Sequence, residues 1–156
     1  MSDEIIGSAD MNEVPEEEIF RQRKAKLERL RSEEGYDPYV NDHWDRTHTL
    51  EQARGEFGHL GPEESLDKTV SVAGRVMRLR RHGKAAFADL MDESGTLQMY
   101  FQRDELGEKE YAFFKKWVDS GDIVGVKGTP FRTRLGELSI KVKESVLLSK
   151  ALRALP

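Results

Sequence analysis

A phenylalanine, a glutamine and several arginines in the second half of this 156-residue chain are spaced so that a folded sheet would gather them on one surface. With Glu93 and Ser94 at the tip of a hairpin, Met91 faces Thr96, Asp89 faces Gln98 and Phe87 faces Tyr100. Side chains alternate faces along a strand, so Phe87, Asp89, Gln98 and Tyr100 share one side. Ala86, Ala88, Leu90, Leu97, Met99 and Phe101 share the other and have the composition of a core. The first set joins two aromatics to an amide and a carboxylate, which solvent exposure alone does not explain. A preceding hairpin tipped by His82 and Gly83 sets Arg80 opposite Ala85 and Arg78 opposite Phe87, bringing both arginines to the Phe87 face. A base can stack on such a ring, a contact worth roughly 1–3 kcal/mol. Gln98 offers a donor and an acceptor side by side, as a uracil edge does. The arginines supply a rigid fork of donors to carbonyl or phosphate oxygens. Further on, FRTRLGELSI places Arg132 and Arg134 near a tip, with Glu137 beside them. A carboxylate there repels phosphate but accepts a hydrogen bond from a base N–H. On these residues alone, a single-stranded nucleic acid and a protein partner both fit the face.

The elements that must position these side chains follow from periodicity. Beyond Leu66 the apolar spacing is two, and strands are expected at 69–79, 84–92, 96–103, 122–133 and 137–148. Gly74 falls mid-strand, where a barrel strand must bend, and leaves the register upstream of it open. Between the third and fourth strands, Tyr111, Phe114, Trp117 and Val118 recur at helical spacing and read as a plug against the barrel, with Gly121 as the stop. A mainly β fold follows: a five-stranded Greek-key barrel of the oligonucleotide-binding type, with a helix between strands 3 and 4. The expected division is 1–14 disordered, 15–65 a helical extension with its connecting loop, 66–149 the barrel, and 150–156 the start of a linker. In the extension, Pro15 suits a first helical turn, Glu16 to Glu18 complement the dipole, and Gly35 is a stop. That helix has a thin apolar stripe, Ile19, Phe20, Leu27 and Leu30. Its Arg21, Arg23, Lys24, Lys26, Arg29 and Arg31 are either a solvated face or a basic rail for an RNA backbone. Thr49 caps a second short helix, LEQARGEF.

Composition narrows the possibilities. The chain is 37% hydrophobic and 35% charged and has no cysteine, which excludes disulfide and thiolate–metal scaffolds. No apolar run approaches the ~20 residues that span a bilayer, and the acidic N-terminus is no secretory leader. A cytoplasmic protein without a membrane partner is expected. His43 and His48 lack the spacing of a metal pair. The net charge of −4 argues against indiscriminate coating of nucleic acid, which a basic surface drives, and for a local site built on specific contacts.

The run VSVAGRVMRLRRHGKAAFADLMDESGTLQMYFQRDEL, followed by FFKKWVDSGDIVGVKGTPFRTRLGELSIKVKESVLLSKALRALP, resembles the anticodon-binding domain of bacterial, class II lysyl-tRNA synthetases. The resemblance runs from about Leu66 to Pro156, and RLRSEEGYDPYVNDHWDRTHT resembles that family's N-terminal helix and loop. It implies that Phe87 stacks on the central uridine of the lysine anticodon, that Gln98 and Arg80 hydrogen-bond that base, and that Glu137 contacts the first anticodon base. Arg81 and His82 receive no role.

The family continues into a catalytic domain that uses ATP and magnesium. The sequence ends at Pro156, so no cofactor and no catalysis are expected of these residues alone. The resemblance implies a homodimeric parent, and a monomer or weak dimer for this chain. The leading expectation is therefore a module that binds the anticodon loop of lysine tRNA. A free-standing paralogue acting as a tRNA- or protein-binding regulator, and a general single-strand binder, are the alternatives.

Overall fold

The computed structural model describes residues 15–38 and 43–152; the expectations for 1–14 and for 153–156 lie outside them. Helix α1 (Glu16–Glu34) begins after Pro15 and ends at Gly35, whose left-handed φ of 63° suits a residue without a Cβ. Helix α2 (Leu50–Phe57) carries a full capping box: Thr49 accepts from the Gln52 amide, and the Gln52 side chain accepts from the Thr49 amide. Strands β1 (Val70–His82), β2 (Ala85–Met91), β3 (Thr96–Gln102), β4 (Ile123–Arg132) and β5 (Leu138–Ser149) close into a barrel in the order β1-β2-β3-β5-β4. The closing contact, β3 against β5, is the parallel one. Among the described residues no helix is long and apolar enough to cross a membrane.

The β2–β3 hairpin has the expected register, with Met91 opposite Thr96, Asp89 opposite Gln98 and Phe87 opposite Tyr100. All six residues assigned to the inner face are buried. The β1–β2 hairpin differs from expectation. Its tip is Gly83-Lys84, so His82 faces Ala85, Arg80 faces Phe87 and Arg78 faces Asp89. Gly83 has a φ of 61°, which favours it inside the turn. The slip is two residues, and an even slip keeps every side chain on its expected face. Gly74 keeps a regular register with β4, and the irregularity falls instead between Val76 and Arg78. Gly74 serves a close approach: a Cβ there would sit 2.9 Å from the Met91 carbonyl oxygen.

The helical plug between β3 and β4 is two pieces, α3 (Arg103–Leu106) and α4 (Glu108–Trp117), broken at Gly107. The second piece ends at Trp117, and Gly121 lies in the turn beyond it. Tyr111, Phe114 and Trp117 are buried as expected, with Phe114 stacked on Phe101 at 3.9 Å between centroids.

Both N-terminal helices dock on the barrel through polar groups as well as apolar ones. The tip of the β2–β3 hairpin takes up the first amides of α2: Leu50 N donates to Asp92 Oδ2 at 3.0 Å and Glu51 N to Ser94 Oγ at 3.0 Å. On α1, Leu27 and Leu30 are buried, and the cations assigned to a rail are largely engaged with the protein. Lys26 pairs with Asp119 at 2.9 Å, Arg23 donates to the Ser120 carbonyl at 3.1 Å, and Arg29 lies 5.5 Å from the centre of the Trp117 ring. Lys150 is buried and bonds Asp119, Asp122 and the Trp117 carbonyl at 2.7–2.9 Å. This network ties α1, the β3–β4 connection and the end of β5 together.

Candidate nucleic-acid interface

The outer face of β1, β2, β3, β5 and β4 carries two cross-strand rows of side chains. The first runs Arg80, Phe87, Tyr100, Lys141, Thr129; the second runs Arg78, Asp89, Gln98, Ser139, Phe131. Sequence reasoning had placed Arg78, Arg80, Phe87 and Gln98 on this face, and the structure brings them together. The Phe87 ring is half-buried and lies 4.8 Å from the Tyr100 ring, which in turn is 5.8 Å from Phe131. The Arg80 guanidinium sits 5.9 Å from the centre of the Phe87 ring, and its Nη2 donates to Gln98 Oε1 at 2.9 Å. Gln98 Nε2 donates to Ser139 Oγ at 2.8 Å. These contacts hold an aromatic plate, an amide and a guanidinium together, with Phe87 and Gln98 lining one cleft. Arg78 stands at the rim, more exposed, 3.9 Å from Asp89.

The β4–β5 loop leans over the same ground. Phe87, Gln98, Thr133, Arg134, Leu135 and Glu137 line one cleft of about 480 Å³. Thr133 organises the loop: its amide donates to the Glu137 carbonyl at 2.9 Å, its Oγ1 accepts from the Glu137 amide at 2.9 Å, and its carbonyl accepts from Gly136. Gly136 has a φ of 100°, a conformation costly for any residue with a Cβ. Arg134 and Glu137 are exposed at the cleft wall, and Leu135 projects from the tip at 97% exposure. Arg132 is placed differently from the other two tip residues. Its guanidinium donates to the carbonyls of Leu60, Gly136 and Gly58, the last two at 2.7 and 2.9 Å. It fastens the loop to the segment after α2.

Sequence reasoning missed Ser139, Lys141 and Phe131. Alternation along β4 and β5 marks them as outward-facing, but joining them to Gln98 requires the parallel β3–β5 ladder, which no hairpin rule supplies. Lys141 lies 5.5 Å from the centre of the Phe131 ring. Next to it, Lys143 pairs with Glu105 and holds that carboxyl below its usual value. The two histidines raised above are hydrogen-bonded to carboxylates, His43 to Asp45 and His48 to Glu56, each at 2.7 Å.

A closed barrel in this strand order, with an aromatic and polar face outward, defines an oligonucleotide-binding fold. The chain belongs to the tRNA anticodon family of OB-fold nucleic acid binding domains, whose pattern matches residues 70–148. It is similar to lysine–tRNA ligases. That of Thermosipho melanesiensis is 45% identical over 140 residues, covering 89% of this chain and 28% of the ligase. That of Bacillus cytotoxicus is 41% identical over 151 residues, covering 94% and 30%. That of Methanospirillum hungatei is 39% identical over 146 residues, covering 94% and 28%. The chain thus spans 28–30% of the length of these relatives.

Proposed function

We propose that the face around Phe87 reads the anticodon loop of lysine tRNA, with the central uridine stacked on Phe87. The observation that carries this is the triad itself: a half-exposed aromatic ring in one cleft with Gln98, and Arg80, 5.9 Å from the ring centre, locked to that amide. A splayed, single-stranded base is the RNA element such a site can grip. Gln98 and Arg80 then bond the uracil edge, and Glu137, across the cleft, accepts from the first anticodon base. Arg134 and Arg78 border the path of the backbone and neutralise phosphates. Arg132 we assign to holding the loop rather than to the RNA, because carbonyls occupy its fork.

These 156 residues contribute recognition, and no catalytic step is assigned to them. Charging of tRNA with lysine, with its ATP and magnesium, is assigned to segments outside them. The cytoplasm, where translation takes place, is the expected compartment.

The test is binding of a stem-loop RNA with UUU in its loop, followed by fluorescence anisotropy. Phe87→Ala removes the plate and is expected to weaken binding by about 1–3 kcal/mol, with the melting temperature of the protein little changed. Undiminished affinity in that variant would remove the base from Phe87 and sink the assignment.

A further inference from the structure

We infer that Ser139 is a positioning residue for base selection: it fixes which end of the Gln98 amide faces the ligand, and so favours uracil over cytosine on the Phe87 plate. The inference rests on the anticodon-reading proposal and deepens it. A glutamine amide has nearly the same shape either way round, and only its neighbours decide where oxygen and NH2 lie. Here they decide twice. Arg80 Nη2 lies 2.9 Å from one end of the amide, and a guanidinium only donates, so Oε1 belongs there. The other end lies 2.8 Å from Ser139 Oγ.

A hydroxyl accepts as readily as it donates, but the proton of this one is engaged. Ser139 Oγ donates to the Glu137 carbonyl at 3.3 Å, and a carbonyl only accepts. The lone pairs left facing Gln98 select its NH2 group. Ser139 is fully buried and Gln98 is 9% exposed, and the two face each other across the β3–β5 ladder.

Two groups of the amide remain for a ligand, the second N–H of Nε2 and the second lone pair of Oε1. From C4 to C2, the pairing edge of uracil runs acceptor, donor, acceptor; that of cytosine runs donor, acceptor, acceptor. A glutamine held in one sense, N–H opposite O4 and Oε1 opposite N3–H, matches uracil. The same glutamine meets cytosine donor to donor and acceptor to acceptor. A glutamine free to turn over would accept either base. Arg80 is the weaker of the two locks, since its long side chain is drawn on by the base or a phosphate when RNA binds. The buried hydroxyl has no competing partner in the ligand.

The experiment compares the 156-residue chain with its Ser139→Ala and Ser139→Thr variants, on stem-loops carrying UUU and UCU. Wild type is expected to prefer the uridine loop. In Ser139→Ala that preference falls roughly five- to tenfold, the size of one net hydrogen bond, chiefly because the cytidine loop binds better. Ser139→Thr, which keeps the hydroxyl, retains the preference. An unchanged ratio in Ser139→Ala, with a melting temperature near wild type, overturns the inference. If that variant does not fold, the side-chain amide protons of Gln98 decide the matter in unliganded wild type by nuclear magnetic resonance. Slow solvent exchange of the proton facing Ser139 supports the clamp; exchange as fast as that of an exposed glutamine overturns it. Equal binding of both loops by wild type defeats the anticodon-reading proposal itself, before Ser139 is altered.

Discussion

At the scale of single residues, chemical type and actual employment separate. Arg132 and Arg134 look alike in the sequence, two cations flanking a hairpin tip. In the folded protein Arg134 is exposed at the cleft, whereas Arg132 makes three bonds to carbonyls from two different segments. A planar fork reaches several carbonyls at once, and an ammonium does not. Arg132→Lys keeps the charge but loses the fork, so thermal or urea unfolding should register a loss of about 1–3 kcal/mol. Intrinsic RNA affinity, measured well below the melting transition, should change far less. A variant with wild-type stability and weakened RNA binding would return Arg132 to the ligand. The distinction was invisible beforehand because the carbonyls of Gly58 and Leu60 arrive from more than seventy residues away. Phe87, Gln98 and Arg80, by contrast, were legible, since two short hairpins and the alternation of strand faces suffice to align them.

At the scale of elements, short helices depend on what meets their ends. Helix α2 has eight residues, too few to persist in isolation. Its own capping box and the β2–β3 tip share the work of satisfying its first amides. Asp92 is central to that tip. Burial pushes its carboxyl up, but the Ser94 hydroxyl and the amides of Leu50, Ser94 and Gly95 outweigh this and hold it below the ordinary value. A depressed carboxyl contributes stability that is fully present above the unfolded value of about 3.9. That contribution is lost as pH falls through the lower, folded value. Asp92→Asn should therefore be less stable at neutral pH, by about 1–3 kcal/mol, and its stability should fall less steeply on acidification. Denaturant titrations between pH 7 and pH 2 measure both effects; parallel pH profiles for the two proteins would refute the role given to Asp92. Thr49 as the cap was readable from its neighbours in sequence. The second layer of capping from Asp92 and Ser94 was not, being a contact between elements far apart in the chain. Nor was the break at Gly107 within the plug, because the apolar spacing of Tyr111, Phe114 and Trp117 runs on undisturbed past it.

At the scale of the whole molecule, the barrel and its N-terminal helix meet in a buried ionic knot. The Lys150 side chain is fully buried against Asp122, itself fully buried, and against Asp119, which also receives Lys26 from α1. Breaking such a network by removing one partner leaves uncompensated charge and typically costs about 3–5 kcal/mol. Lys150→Ala is expected to fall in that range by chemical denaturation, and to loosen α1 along with the end of β5. A loss under 1 kcal/mol would show that the knot is dispensable. The same knot explains why the basic face of α1 was ambiguous in sequence: charge spacing on a helix does not reveal whether carboxylates wait opposite it. The succession of elements along the chain and the number of strands were legible, since they follow from local periodicity and turn residues. The closing partner of β3 was not.

That closing contact is short: three residue pairs, Gln98 with Ser139, Met99 with Ile140 and Tyr100 with Lys141. Each partner in the Gln98–Ser139 pair is 41 positions from the other, so it belongs to the high-contact-order part of the fold, whose loop entropy must be met before the contact returns anything. Gln98 and Ser139, to which the proposals above give the reading and the aiming of a base, stand on opposite sides of this junction. No opened or half-assembled barrel can carry the reading surface, however well its hairpins are formed. On that proposal, a base seated on Phe87 and bonded to Gln98 binds only the closed form, and mass action then makes the RNA a clasp on the β3–β5 junction. Occupancy and closure are, in that sense, one equilibrium.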